Sequence, residues 1–228
     1  AVDKMQENPD AVLFYCNSSV VDKEGKQVGH TDTYFHEVWR ESRWDDDFTS
    51  IGVAELAGYQ CRGQTVPNMS SALISTKAFR QAYNPILKRF KLTGDWIFIG
   101  QLMRHGQVVY CKRTLSNFRK HENTARVRVK SARSQAEFML TKYLLFRETG
   151  KPLRGLATTM ASDVIRFLHE PAKWYDVVKI MFKISPKASL RFGIVFLASL
   201  LMNGFLLKEF YQRYKRAKGN KNAGTNKT

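Results

Sequence analysis

The sequence predicts an α/β fold. Three observations predict it: a β-branched and aromatic run near the N-terminus, an alternation of strand-like and helix-periodic segments through the first half, and a wholly helical pattern after Ser131. At 228 residues, with 43% apolar and 12% aromatic side chains, the chain can bury a core and hold one good-sized domain plus an appendage. Global disorder does not fit that composition.

Residues 11–21, Ala-Val-Leu-Phe-Tyr-Cys-Asn-Ser-Ser-Val-Val, form the first strand; Asn8-Pro9-Asp10 punctuates its start and Asp22-Lys23-Glu24-Gly25 turns the chain at its end. Residues 30–50 are polar and aromatic without a clean period and read as a mobile loop. Ile51–Tyr59 is a short helix, and Asn68–Ser75 a strand or its entry. Thr76–Phe90 has helical spacing at Phe79, Tyr83 and Leu87, broken or kinked at Pro85. Asp95–His105 is a second helix with Ile97, Leu102 and Met103 on its apolar side, and Gly106 follows as a left-handed cap. Gln107–Cys111 is a strand, and Leu115–His121 leads out of it. The helices after Ser131 break at Gly150-Lys151-Pro152, Pro171 and Ser185-Pro186, and Ala217–Thr228 is a low-complexity, disordered end.

Charge is unevenly placed. Residues 1–100 carry 11 Lys/Arg against 13 Asp/Glu; residues 101–228 carry 26 against 7, so nearly all of the net +17 lies in the second part. That asymmetry points the C-terminal part toward an anionic partner. Cys16, Cys61 and Cys111 are scattered singly, which speaks against a disulfide framework or zinc site and for a reducing compartment. The chain opens without Met and without an apolar leader run, and reads as the tail of a helix; the expectation is a fragment of a longer protein.

Three segments carry candidate chemistry. Gly94-Asp95-Trp96 puts a carboxylate at a helix start, where free N–H groups and the helix dipole favour an anion. Asp95 can act there as a general base or simply cap the helix. In Phe118-Arg119-Lys120-His121, Arg119 and His121 share one face of an extended segment, suited to a diphosphate or, through the imidazole, a divalent ion. A solvated basic edge is the plainer alternative. Asn68, Ser70 and Ser71 offer small polar groups before Ala72-Leu73-Ile74, either for sugar hydroxyls or as a strand edge with capping serines.

Strand, helix, Gly-Asp-Trp helix, strand and Arg-x-His, in that order over roughly residues 5–125, resemble the second half of a family 2 glycosyltransferase of GT-A fold, of bacterial surface-polysaccharide type. The resemblance implies a partial GT-A fold lacking its N-terminal half, with Asp95 as base and Asn68, Ser70, Ser71 and Trp96 lining the acceptor cleft. It also implies Arg119 and His121 at the diphosphate, His121 as a ligand of Mg²⁺ or Mn²⁺, and Lys120 facing away. The family's metal-binding Asp-x-Asp precedes every segment seen here, so Asp45-Asp46-Asp47 reads as a solvated loop. The implied reaction is inverting transfer from a nucleotide-sugar donor to a saccharide or polyprenyl-linked acceptor.

From Phe192 to Leu207 sixteen uncharged, mostly apolar residues run between Arg191 and Lys208. As a helix they span about 24 Å, short of a hydrocarbon core of about 30 Å. Trp174–Ile184 is amphipathic, with Trp174, Val177, Val178, Met181 and Ile184 facing one way. Basic residues flank the apolar run on both sides, which favours an in-plane or re-entrant helix on anionic lipid over a single span, at the cytoplasmic face of the plasma membrane. A buried core helix with a basic tail is the alternative. The expected organisation is residues 1–130 as the half-domain, 131–185 as a helical extension, 186–216 as the membrane-associated helix and 217–228 as a basic tail. Nucleic acid is not an expected partner, because the cations flank an apolar run and do not interleave with exposed aromatics. The competing reading for the whole chain is a catalytically incomplete membrane-associated fragment or scaffold.

Overall fold

The computed structural model describes residues 1–120, 129, 131–152, 155, 156, 159, 160 and 174–202. After helix α1 (Val2–Glu7), strand β1 (Ala11–Val21) runs through the middle of a five-stranded mixed sheet. The first eight residues of β1 are all buried, which is why the sequence there is continuously apolar up to Cys16 and does not alternate. One edge of β1 pairs in parallel with β5 (Gln107–Arg119). The other edge is shared: β4 (Ala72–Ile74) lies antiparallel to Leu13–Tyr15, and β2 (Gln27–His30) lies antiparallel to Ser19–Val21. β3 (Phe48–Ile51) is antiparallel to β5 on the far side. The expected turn joins β1 to β2: the Asp22 carboxylate accepts the Lys26 N–H at 2.8 Å, and Gly25 adopts φ 90°.

The segment 30–50, expected as a mobile loop, folds into α2 (Asp32–Trp39), a 3₁₀ turn (Ser42–Asp45) and β3. Each of these short pieces sends one or two aromatics into the core, so no single period appears in the sequence. Phe35 and Trp44 stack at 4.6 Å, and the Trp44 indole N–H donates to the buried Tyr15 hydroxyl at 2.9 Å. A stacked pair contributes about 0.5–1.5 kcal/mol beyond its area. The lead-out 115–121 is also different from expectation, because 107–119 is one strand. Register shifts opposite Cys16, Asn17 and Ser18 of β1 absorb the extra residues of β5 around Lys112, Arg113 and Leu115.

Helix α3 (Gly52–Glu55) with the π turn Leu56–Gln60, helix α4 (Thr76–Ala82), the 3₁₀ turn Pro85–Arg89 and helix α5 (Gly94–Met103) occupy the expected helical segments, with the break at Pro85. Gly106 is not a left-handed cap, since the positive-φ glycines among the described residues are Gly25 and Gly150. It is glycine because a Cβ would lie 2.3 Å from the Asp10 carbonyl oxygen and 2.6 Å from Val12 Cγ1. Close approach sets this position.

α5 has no single apolar side. Trp96 to Gly100, Leu102 and Met103 are all buried. Ile99, Leu102 and Met103 join the sheet-side cluster of Leu13, Tyr15, Val108 and Tyr110. Ile97 joins a second cluster made with helices α6 (Ser131–Arg147), α7 (Trp174–Ile184) and α8 (Pro186–Met202), through Leu140, Tyr143, Val177, Met181 and Phe192. A helix apolar all round is a helix packed between layers. α6 ends before Gly150, and Ser185 separates α7 from α8, its hydroxyl accepting the Ala188 N–H at 3.3 Å. Pro171 and residues 203–228 lie outside the described residues. No helix among the described residues is long and apolar enough to cross a membrane.

Candidate active site

Asp95 stands at the second position of α5, after the N-cap residue Thr93. The helix start is anchored from α6. The Glu137 carboxylate, with no exposed side-chain surface, accepts the N–H groups of Lys91 (3.0 Å), Leu92 (2.7 Å) and Thr93 (3.3 Å), and the Arg133 Nε–H at 2.7 Å. The Thr93 and Thr141 hydroxyls meet at 2.7 Å. With the N-cap position taken and the preceding N–H groups satisfied by Glu137, Asp95 is left half-buried. Its Oδ1 accepts the Trp96 N–H at 2.7 Å and its Oδ2 accepts Gln64 Nε2 at 3.2 Å.

Trp96 is buried and locks the facing loop. Its indole N–H donates to the Gln60 carbonyl at 2.6 Å, while Gln60 Nε2 donates back to the Trp96 carbonyl at 2.9 Å. Gln60 Oε1 takes both the N–H and the O–H of Thr65, and the Tyr34 hydroxyl donates to the Gln64 carbonyl at 3.0 Å. The loop from Gln60 to Val66 is therefore fastened beside the Asp95 carboxylate by paired, buried hydrogen bonds. Gln60, Gln64 and Tyr34 carry no sequence signal of their own, since isolated polar residues in a loop look alike until the loop's partner is known.

The same loop continues into Asn68, Ser70 and Ser71, so these residues and Asp95 are tied to one segment. Asn68 caps the short turn Met69–Ser71 by accepting the Ser70 N–H, and its Nδ2 donates to the Ser18 and Ser116 hydroxyls at 3.1 and 3.3 Å. Ser71 is buried, with its hydroxyl donated to the Asn68 carbonyl at 2.6 Å; Ser70 is exposed. A polar network thus crosses the middle of the sheet. It includes Asn17, whose Oδ1 accepts the Thr31 hydroxyl (2.6 Å) and the Asp32 N–H (3.1 Å). Of this network Asn68 and Ser71 stood out in the sequence, whereas Asn17 and Ser18, which lie inside the first strand, did not.

Arg119 lies at the end of β5, opposite Val21, and its Nη1 donates to the carbonyls of Asp22 (3.2 Å) and Lys23 (2.8 Å). It pins the β1–β2 turn. His121 lies outside the described residues. Of the triplet, Asp46 pairs with Lys112 Nζ at 2.8 Å, Asp47 accepts the Lys112 N–H at 2.9 Å, and Asp45 sits 3.3 Å from His36 Nε2; all three aspartates are exposed. The hydrogen bond to Asp46, with its charge, raises the Lys112 pKa. Among the described residues no three His, Cys, Asp or Glu side chains come together as a metal site, so the implied Mg²⁺ or Mn²⁺ has no donor set to test there.

A second buried ion pair, like Arg133–Glu137, was not foreseen. Glu55, with no exposed side-chain surface, meets Arg43 Nη2, whose guanidinium lies 4.0 Å from the Phe48 ring centroid and 4.7 Å from that of Tyr59. Burial pushes the Glu55 carboxyl up, and Arg43 partly offsets it. The pair closes the aromatic corner built by residues 35–59. No protein-family model matches the chain, and no curated protein or solved structure does either.

Proposed function

We propose that the chain is the acceptor-side part of an inverting glycosyltransferase of GT-A type, with Asp95 as its base. The observation that carries this reading is the setting of Asp95: a half-buried carboxylate at a helix start whose preceding segment is held by Glu137, facing a loop fastened by Gln60, Gln64 and Trp96. The N-cap residue Thr93 makes no side-chain cap bond, and one Asp95 oxygen takes the Trp96 N–H of the first turn; the other oxygen, turned to Gln64, is the one a helix cap does not use. In the proposed step an Asp95 oxygen takes the proton of an acceptor hydroxyl. The acceptor oxygen forms a bond to the anomeric carbon of a nucleotide-sugar as the bond to the diphosphate breaks, and the nucleoside diphosphate leaves with the electron pair. Gln64 holds the carboxylate's orientation. A divalent ion would supply charge neutralisation for a departing diphosphate, and no metal-holding group lies among the described residues.

The test is nucleoside-diphosphate release from a panel of sugar nucleotides, by the protein expressed in its full reading frame with a saccharide or polyprenyl-linked acceptor. Asp95→Asn preserves the shape and the acceptor for the Trp96 N–H. Turnover is expected to fall about 10²–10⁴-fold with an unchanged melting temperature. Full turnover in the Asn variant overturns the assignment of the base. The competing reading, a catalytically incomplete scaffold, predicts no release from any donor by either protein.

A further inference from the structure

Most of the amphipathic side expected to meet lipid on α7 is used inside the protein, whereas Val178, expected on that side, is exposed. Val177, Met181 and Ile184 are buried against α6 and α8, and Ala188 and Phe192 of α8 enter the same cluster. A second apolar stripe is exposed on each helix. On α7 it is Tyr175, Val178 and Phe182, at i, i+3 and i+7; on α8 it is Leu190, Ile194 and Leu197, at i, i+4 and i+7. These six side chains are 42–72% exposed, which for consecutive helices of one protein is an unusual concentration of open apolar surface. Each stripe is bordered by cations: Lys179 and Lys183 line one open groove with Tyr175, Val178 and Phe182, while Lys187 and Arg191 follow on α8. Asp176 is the one acid in 174–202, and none of the four cations is ion-paired to a described carboxylate.

We infer that the exposed stripes of α7 and α8 form an in-plane docking face for an anionic lipid bilayer. Apolar side chains seat in the headgroup–acyl boundary, and the bordering lysines and arginine meet lipid phosphates. The chemistry of the exposed side chains favours a bilayer over a protein partner. Among the residues of these helices whose burial is described, those exposed are, apart from Pro186, aliphatic, aromatic or charged, and Ser185 and Ser189 are buried in backbone bonds. Such a face offers little directional hydrogen bonding at a rim, which a specific protein interface needs and a fluid surface does not. The Lys179 ammonium lies over the Tyr175 ring, 5.4 Å from its centroid, so cation and aromatic share one patch of this face. This inference stands whether or not the protein transfers sugar.

The test is co-sedimentation of the full chain with vesicles of phosphatidylcholine alone and of phosphatidylcholine mixed with phosphatidylglycerol. Binding is expected only with the anionic lipid and is expected to weaken as salt rises. Each Lys→Gln change at 179 and 183 weakens it about fivefold. The pair Val178→Ser and Phe182→Ser weakens it about a hundredfold, with an unchanged far-UV circular dichroism spectrum because both residues are exposed. Equal binding to both lipids overturns the inference. So does anionic binding untouched by these variants, which would assign attachment to basic residues elsewhere in the chain. Light scattering that shows self-association abolished by the Ser pair, with no vesicle binding, makes a second copy the occupant and overturns it as well.

Discussion

Glu137 gives most of its carboxylate to backbone donors, with Arg133 as its side-chain partner, and that decides its role. Its carboxylate gathers three backbone N–H groups from Lys91–Thr93 and one guanidinium N–H, in a fully buried position. Removing the acceptor would leave the buried Thr93 N–H and the part-buried Lys91, Leu92 and Arg133 donors without their shared partner, an arrangement in which a lost partner is costly. Glu137→Ala is expected to destabilise the protein by about 3–5 kcal/mol in urea unfolding. Glu137→Gln, which keeps one acceptor oxygen, should lose about 1–3 kcal/mol. Because Thr93 and Asp95 follow directly on the bonded segment, Gln at 137 should also lower any turnover that depends on Asp95, whereas a surface change such as Lys88→Gln should not. Equal stability of wild type and Glu137→Ala would show that water replaces the carboxylate and that α5 is positioned by its apolar contacts alone.

Two glycines show how an element can be legible while its reason is not. Gly100 and Gly106 look alike in sequence, one inside a helix and one after it. A Cβ at Gly100 would meet Leu145 Cδ2 at 2.3 Å, the far end of a side chain that can rotate; a Cβ at Gly106 would meet a backbone oxygen at the same distance. Gly106→Ala should therefore cost about 1–3 kcal/mol or more, and Gly100→Ala clearly less, as read from urea midpoints. An inverse order would mean that the β1 entry near Asp10 yields more easily than the α5–α6 contact. The strand at 11–21, the helix starting at Asp95, the break at Pro85 and the turn at Gly25 were legible because each follows from local pattern or from one residue's backbone preference. Residues 30–50 were not, because Phe35, Trp39 and Trp44 belong to a corner whose order depends on Tyr15 and Tyr110, distant in sequence. The same holds at the candidate site. Asp95 was visible as an acid at a helix start, while Gln60, Gln64 and Glu137 became meaningful only once the loop and α6 were seen to converge on it.

The placement of α5 between the sheet and the helical layer makes the described protein one cooperative body. Its Ile99, Leu102 and Met103 belong to the sheet-side cluster and its Ile97 to the helical one, and Glu137 of α6 holds the segment that starts it. Loosening the helical layer must therefore loosen the seat of Asp95, so stability and candidate chemistry are linked across the division expected at residue 130. Leu140 of α6 is fully buried in the helical cluster, and Leu140→Ala should cost about 2–5 kcal/mol. Of the four tryptophans, Trp39, Trp44 and Trp96 lie in the sheet-side cluster and Trp174 packs against the helical one. In a Trp174→Phe background, tryptophan fluorescence therefore reports the sheet-side cluster, with Trp96 also sensing Phe138 of α6 at 6.0 Å, while far-UV circular dichroism reports the helices strongly. The two urea curves should overlay in the parent and shift together in Leu140→Ala, since a cooperative unit has one transition. A shift of the dichroism curve with the fluorescence curve left in place would mean that the helices unfold separately. The docking face on α7 and α8 would then belong to a layer that can part from the sheet without disturbing Asp95.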